Sequence, residues 1–189
     1  MNPSVRRALL GLVFVAQLAV PASLVIKHEQ TRRQGAEWRF QTAPVDPADP
    51  FRGKFVRLGY AVQREPIPFA DSGMVYMAPG RRVYAELARG DDGFARLVRL
   101  HEHRPERVEY LDVLIARRFR EDTPPSSAFV QIPFDRYYLP EERAPMVEQE
   151  YREASRVAQE NTWVEVRVRD GHAAVVGLVL NGTPVSERR

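Results

Sequence analysis

Three hydrophobic patterns follow one another along this chain. Residues 8–26 form a predominantly apolar run, with Gln17 inside it and no charged side chain. A helix of about twenty such residues just crosses a bilayer core. The run continues past Val20-Pro21-Ala22, the best candidate for a signal-peptide exit site, through Leu24, Val25 and Ile26. That continuation favours a retained anchor over a cleaved leader. Pro21 lacks an N–H and clashes with the preceding turn, so a kink is expected there.

Beyond a polar stretch at residues 28–35, read as a helical extension or juxtamembrane linker, the period changes to two. Residues 38–42 read as a first short strand. In residues 55–63, Val56, Leu58, Tyr60 and Val62 share one face, with Phe55, Arg57 and Gly59 on the other. That alternation predicts a half-buried strand. Strands at 82–89 and 94–101 flank Gly90-Asp91-Asp92-Gly93, whose residues supply the positive φ angles of a tight reversal. Residues 108–121 predict one bent strand or two, and residues 128–133 another. A second hairpin spans 163–169, Asp170-Gly171 and 172–180, with Val164, Val166 and Val168 facing inward. One segment, 142–161, has helical spacing: Val147, Tyr151, Ala154 and Val157 recur every three or four residues, and Glu148, Glu150, Arg152, Glu153 and Arg156 form a solvated face.

Consecutive hairpins imply antiparallel pairing. The fold class expected is mainly β, a β-rich α+β domain. It would be an antiparallel barrel or sandwich with one amphipathic helix near the C-terminal hairpin, preceded by an N-terminal transmembrane helix; an open α+β sheet is the alternative. The organisation is an anchor with its flanking charges at 1–28, a linker at 29–36, the β-rich domain at 37–185 and a tail at 186–189.

Charge narrows the function. The formal net charge is +3, but Arg6, Arg7 and Lys27 account for all of it, and from His28 onward Lys+Arg and Asp+Glu cancel. Nucleic-acid binding draws its affinity from phosphate neutralisation, so no nucleic-acid partner is expected. The chain has no cysteine, which removes disulfides, thiolate metal sites and cysteine nucleophiles. Lysine occurs only at 27 and 54. Arginine does not deprotonate near neutrality, so amine chemistry in the soluble part would have to use Lys54. Arg6 and Arg7 precede the apolar run while Lys27, Arg32 and Arg33 follow it, a near tie under the positive-inside rule. The short N-terminal tail favours keeping that tail in the cytoplasm and the domain outside.

Candidate chemistry is sparse. His101-Glu102-His103 places two imidazoles on one strand face, but zinc wants three or four ligands. The reading is an exposed strand end, and neither a metal nor a cofactor is expected. His172, after a turn, also reads as exposed. Lys54 with Ser72, Ser126 or Ser127 lacks any supporting nucleophile motif. Asp46, Asp49 and Glu141 could work as an acid/base pair, but aspartates before proline cap turns, and negative charge is favourable near a helix start. Tyr60, Tyr137, Tyr138 and Trp163 read as core and cross-strand packing rather than a ligand groove.

Gly53-Lys54-Phe55-Val56-Arg57-Leu58-Gly59-Tyr60 resembles the signature that names the GDYXXLXY family of bacterial membrane-anchored proteins. The approach segment Arg39–Pro47 and Asp49–Gly53, the block Asp135-Arg136-Tyr137-Tyr138-Leu139-Pro140-Glu141, and the hairpin from Asp170 through Leu178 are similar to further family blocks. Lys54 stands where the family usually has Asp, and Phe55 where it usually has Tyr. A charge reversal inside an otherwise matching pattern points to a structural role for that position. The first expectation is a tethered, non-enzymatic accessory domain of unassigned biochemical activity at the inner (cytoplasmic) membrane, single-pass, with its domain extracytoplasmic. The resemblance implies the same membrane setting, and a multi-pass membrane protein is the partner expected there. The alternative is a carboxylate-based hydrolase using Asp46, Asp49 or Glu141. The matched blocks on irregular backbone, 44–53 and 137–141, are expected to form one docking surface, with Asp46, Arg52 and Glu141 at its polar rim and Tyr60 or Tyr138 as apolar anchor.

Overall fold

A computed structural model describes residues 3–43, 55–71, 73–74, 77–118, 126–157 and 161–187. The chain opens with one helix, α1 (Pro3–Gln34), with Pro21 inside it. Its segment Leu10–Gln34 is long and apolar enough to cross a membrane. The polar residues 28–34 belong to the same helix, so they extend it rather than break it.

The strands form three antiparallel groups. β1 (Ala36–Gln41), β9 (Trp163–Arg169), β10 (His172–Leu180) and β11 (Thr183–Pro184) make a four-stranded sheet in the order β1-β9-β10-β11. β3 (Ile67–Pro68), β4 (Arg82–Arg89), β5 (Ala95–His101), β6 (Tyr110–Arg118) and β7 (Ser127–Gln131) make a five-stranded sheet in the order β3-β7-β6-β4-β5. Its two edges meet: Phe69 bridges Leu100, and the Ala70 N–H donates to the Leu100 carbonyl at 2.8 Å. The result is a nearly closed barrel. β2 (Phe55–Arg57) and β8 (Arg136–Tyr138) form a separate two-stranded ribbon.

Both hairpins expected from turn chemistry are present. Gly93 has φ +79°, and Asp170 and Gly171 have φ +50° and +79°, the paired left-handed residues of a two-residue reversal. The long strand β6 is continuous, with a register shift between Ile115 and Arg117. The second helix, α2 (Ala144–Val157), buries Val147, Tyr151 and Ala154 and packs on β2 and β10.

The strand expected over residues 55–63 is shorter. Ladder pairing stops at Arg57, Tyr60 makes an isolated bridge with Thr42, and Ala61–Gln63 is a 3-10 turn. The side chains still alternate, with Val56, Leu58, Tyr60 and Val62 all buried. The backbone groups find partners elsewhere: the Leu58 N–H donates to the Asp135 carbonyl at 2.8 Å and the Ala43 N–H to the Gly59 carbonyl at 2.9 Å. Period two therefore reports the buried face here, while the hydrogen bonds knit three segments instead of one ladder.

α1 is joined to the sheet without slack. The Gly35 N–H donates to the Thr31 carbonyl at 2.9 Å, and β1 begins at the next residue. A Cβ at Gly35 would lie 2.6 Å from the Thr31 oxygen and 3.0 Å from the backbone of Val168, so only glycine permits this approach. Thr31 is 2% exposed, and its hydroxyl donates to the Lys27 carbonyl at 3.0 Å.

Candidate docking face at the signature strand

The signature residues divide between core and surface. Leu58 and Tyr60 are buried, and the Tyr60 hydroxyl donates to the Phe134 carbonyl at 2.8 Å. The Tyr60 ring stacks edge-on against Phe40 and Phe134, with centroids 5.8 and 5.2 Å away. Burial, and then the nearby Tyr151 and Asp135, push its phenol well above the ordinary tyrosine range. The Gly59 N–H donates to Tyr151 Oη at 2.9 Å, which ties the signature to α2. With 1% exposure, Tyr60 cannot serve as an accessible anchor; its periodic placement put it in the core, where its hydroxyl satisfies a buried carbonyl.

The ribbon register sorts the remaining positions. Phe55 faces Tyr138, Val56 faces Tyr137 and Arg57 faces Arg136. Side chains alternate across a strand, so Phe55, Arg57, Arg136 and Tyr138 share one face while Val56 turns to the core. Tyr138 is 67% exposed. Its ring lies 5.9 Å from that of Phe55, and the Arg136 guanidinium sits 5.0 Å from the Phe55 ring centre. Arg136 also approaches Asp135 at 3.5 Å. Arg57 and Arg136 are like charges directly opposite, an unfavourable cross-strand pair.

Two clefts flank the ribbon. One, of about 610 Å3, is lined by Arg57, Gly59, Arg64, Arg117 and Asp135 among others. There the Arg117 guanidinium carbon sits over Phe129, 3.9 Å from the ring centre. The other, of about 600 Å3, runs from His28 on α1 to Arg136, Tyr137 and Tyr138 on β8.

The residues expected from sequence fare differently. Of the two matched blocks, 44–53 lies outside the described residues. The adjoining signature residues 55–57 form β2 and pair with β8, so Tyr137 and Tyr138 stand in a strand and not on irregular backbone. Glu141 is exposed in the turn before α2. Asp46, Asp49, Arg52 and Lys54 lie outside the described residues. His101 is not an exposed strand end: it is half-buried, and its Nε2 lies 3.0 Å from Glu86 Oε2 across the β4–β5 hairpin. His172 is half-buried, with a buried Nε2 that has no hydrogen-bond partner. Burial, then Lys27, lower its pKa below 6.5, with Arg104 and Arg82 adding and Asp112 opposing. Among the described residues no group of three His, Cys, Asp or Glu side chains could hold a metal ion. Sequence reasoning missed Phe55, Arg57 and Arg136 as surface partners of Tyr138. Period two already placed Phe55 and Arg57 opposite the buried face, and only the pairing with β8 was needed to assemble them.

A family model described as GDYXXLXY protein matches residues 17–178, from within α1 to within β10. No curated protein and no solved structure matches the chain. With most of its length matched, and with the signature leucine and tyrosine built into the core that joins ribbon, sheet and helix, the chain belongs to the GDYXXLXY family.

Proposed function

We propose that this protein is a single-pass anchored accessory domain of the inner (cytoplasmic) membrane, docking a membrane-protein partner through the solvent face of the β2–β8 ribbon. The observation that carries the reading is the grouping of Phe55, Arg57, Arg136 and Tyr138 on one exposed face. Aromatic and arginine side chains dominate the energetics of protein interfaces. Their position favours a partner at the membrane: the cleft beside Tyr138 is also lined by His28, just past the apolar run of α1. The like-charged Arg57–Arg136 pair, with Asp135 near Arg136 alone, favours a carboxylate on the partner, which the planar guanidinium fork receives well. In this reading the N-terminus is cytoplasmic and the domain extracytoplasmic. A multi-pass membrane protein fits this setting, because a tether raises local concentration enough for modest contacts to suffice.

The test is a photo-crosslinking amino acid placed at position 138 in the full-length chain, with position 152 on α2 as control. A crosslink to a discrete membrane protein from position 138, absent from 152 and lost on Arg57→Ala with Arg136→Ala, is the expected result. Equal crosslinking from both positions, or capture that survives both arginine substitutions, would overturn the proposal.

A further inference from the structure

The β9–β10 turn lies along α1 rather than pointing away from it. A cleft of about 390 Å3 is lined by Ser23, Ile26, Lys27 and Gln30 on α1 and by Arg169 and Asp170 at the turn. It straddles the place where the apolar run stops. Ser23 and Ile26 belong to the run, and Gln30 lies about 6 Å beyond Ile26 at the helical rise. Ile26 is 56% exposed, and Leu24 and Val25 beside it are exposed too. Ile26 thus joins the cleft to the lipid-facing surface expected of a spanning helix, while Lys27 and Arg169 give it its cations.

The turn is held in place. The Arg169 guanidinium bonds the Gln34 side-chain oxygen and approaches Asp170 at 3.6 Å. The neighbouring Arg167 donates to the Arg33 carbonyl at 3.0 Å. Arg82 and Arg104 lie within electrostatic reach of the adjoining His172, as does Lys27. Against these four cations and Arg167 stand Asp170, Asp112 and Glu37, the last 3.5 Å from Arg167. In the lining of the cleft itself Lys27 and Arg169 stand against Asp170, a positive balance at the height where a spanning helix leaves hydrocarbon for headgroups.

We infer that this cleft holds the phosphodiester headgroup of an anionic glycerophospholipid. The phosphate lies between Lys27 and Arg169, and the acyl chains lie along α1 below Ile26. The inference rests on the anchor reading of α1 but not on the docking face. A soluble phosphate offers the same charge but leaves Ile26 and the exposed apolar run beside it uncovered, which favours the lipid as the source.

The full-length chain, purified in detergent with its intact mass confirming that residues 1–22 are present, is titrated with phosphatidylglycerol and with phosphatidylcholine. Bound lipid is counted by native mass spectrometry. Phosphatidylglycerol should bind about tenfold more tightly, and Lys27→Glu should remove most of that preference. Arg152→Ala on α2 should leave it unchanged. Lys27 is exposed, so its substitution tests the cleft without threatening the fold, and Lys27→Arg should restore binding. Equal binding of the two lipids, or an unchanged preference in Lys27→Glu, overturns the inference. Glycerol 3-phosphate that competes as well as the lipid overturns the lipid source. A mature chain lacking residues 1–22 refutes the anchor before any lipid is added, so the two failures are distinguishable.

Discussion

Tyr60→Phe separates a structural role for the signature tyrosine from a contact role. The substitution keeps the ring, and with it the edge-on stacking against Phe40 and Phe134. It deletes only the hydroxyl that donates to the Phe134 carbonyl at 2.8 Å. Stranding a buried acceptor costs about 1–3 kcal/mol. For a chain of this size that corresponds to a fall in Tm of roughly 2–4 °C per kcal/mol. Leu58→Ala, on the same buried face, removes apolar volume from a packed site and should cost about 2–5 kcal/mol. Thermal and urea unfolding of the full-length chain in detergent, followed by circular dichroism, measures both. Crosslinking from position 138 should survive in Tyr60→Phe, because the ribbon face is untouched. If Tyr60→Phe instead melts with the parent while crosslinking disappears, the hydroxyl serves a partner and the core assignment fails. A Leu58→Ala variant as stable as the parent would show that the buried face has been misidentified.

Other positions give sharper single tests. Gly171→Ala should destabilise by about 2 kcal/mol or more, because φ is +79° and the new Cβ would fall 2.2 Å from Asp112 Oδ1; an unchanged Tm would refute that geometry. His172 has a depressed pKa in the folded state, chiefly through burial and then Lys27. Its contribution is therefore fully present above the unfolded value near 6.5 and is lost as pH falls through that value toward the folded one. Tm recorded between about pH 7.5 and pH 5 should fall less steeply for His172→Gln than for the parent, and parallel slopes would exclude this residue as the source. Lys54→Asp, argued from the signature pattern alone, should change stability by less than about 1 kcal/mol, as measured by urea unfolding.

What could be read from sequence follows the range of the interactions involved. The turns at Gly90–Gly93 and Asp170-Gly171 are set by residues whose own backbone preferences demand them, so both hairpins were legible. The buried face of residues 55–63 was legible for a similar reason, since alternation records burial. Its hydrogen bonding was not, because Leu58 and Gly59 bond to Asp135 and Tyr151, partners that local pattern cannot name. Closure of the barrel was equally hidden. It rests on a bridge from Phe69 to Leu100, beside a strand only two residues long. At the surface, Tyr138 stood out by type, but its partnership with Phe55 and Arg136 exists only through the ribbon register. The proximity of Lys27 to Arg169 depends on how α1 lies against the β9–β10 turn, which no periodicity encodes.

The seam at Gly35 gives these surfaces their shared significance. A flexible connection would let the domain tumble about the helix end, and neither cleft would keep a fixed depth. Here the last helical turn runs straight into β1, with the Arg33 carbonyl capped by Arg167 and Gln34 bonded by Arg169. Cations at a helix C-terminus also oppose its partial negative charge. Glycine alone fits between Thr31 and Val168, so the seam is specified sterically as well as electrostatically. The consequence is geometric: the cleft at Lys27 and the cleft running from His28 to Tyr138 are held at set heights along one helix. If α1 spans the bilayer, the first meets headgroups while the second faces whatever stands beside the helix. The domain then needs little affinity at either surface, because the fold has already supplied the orientation.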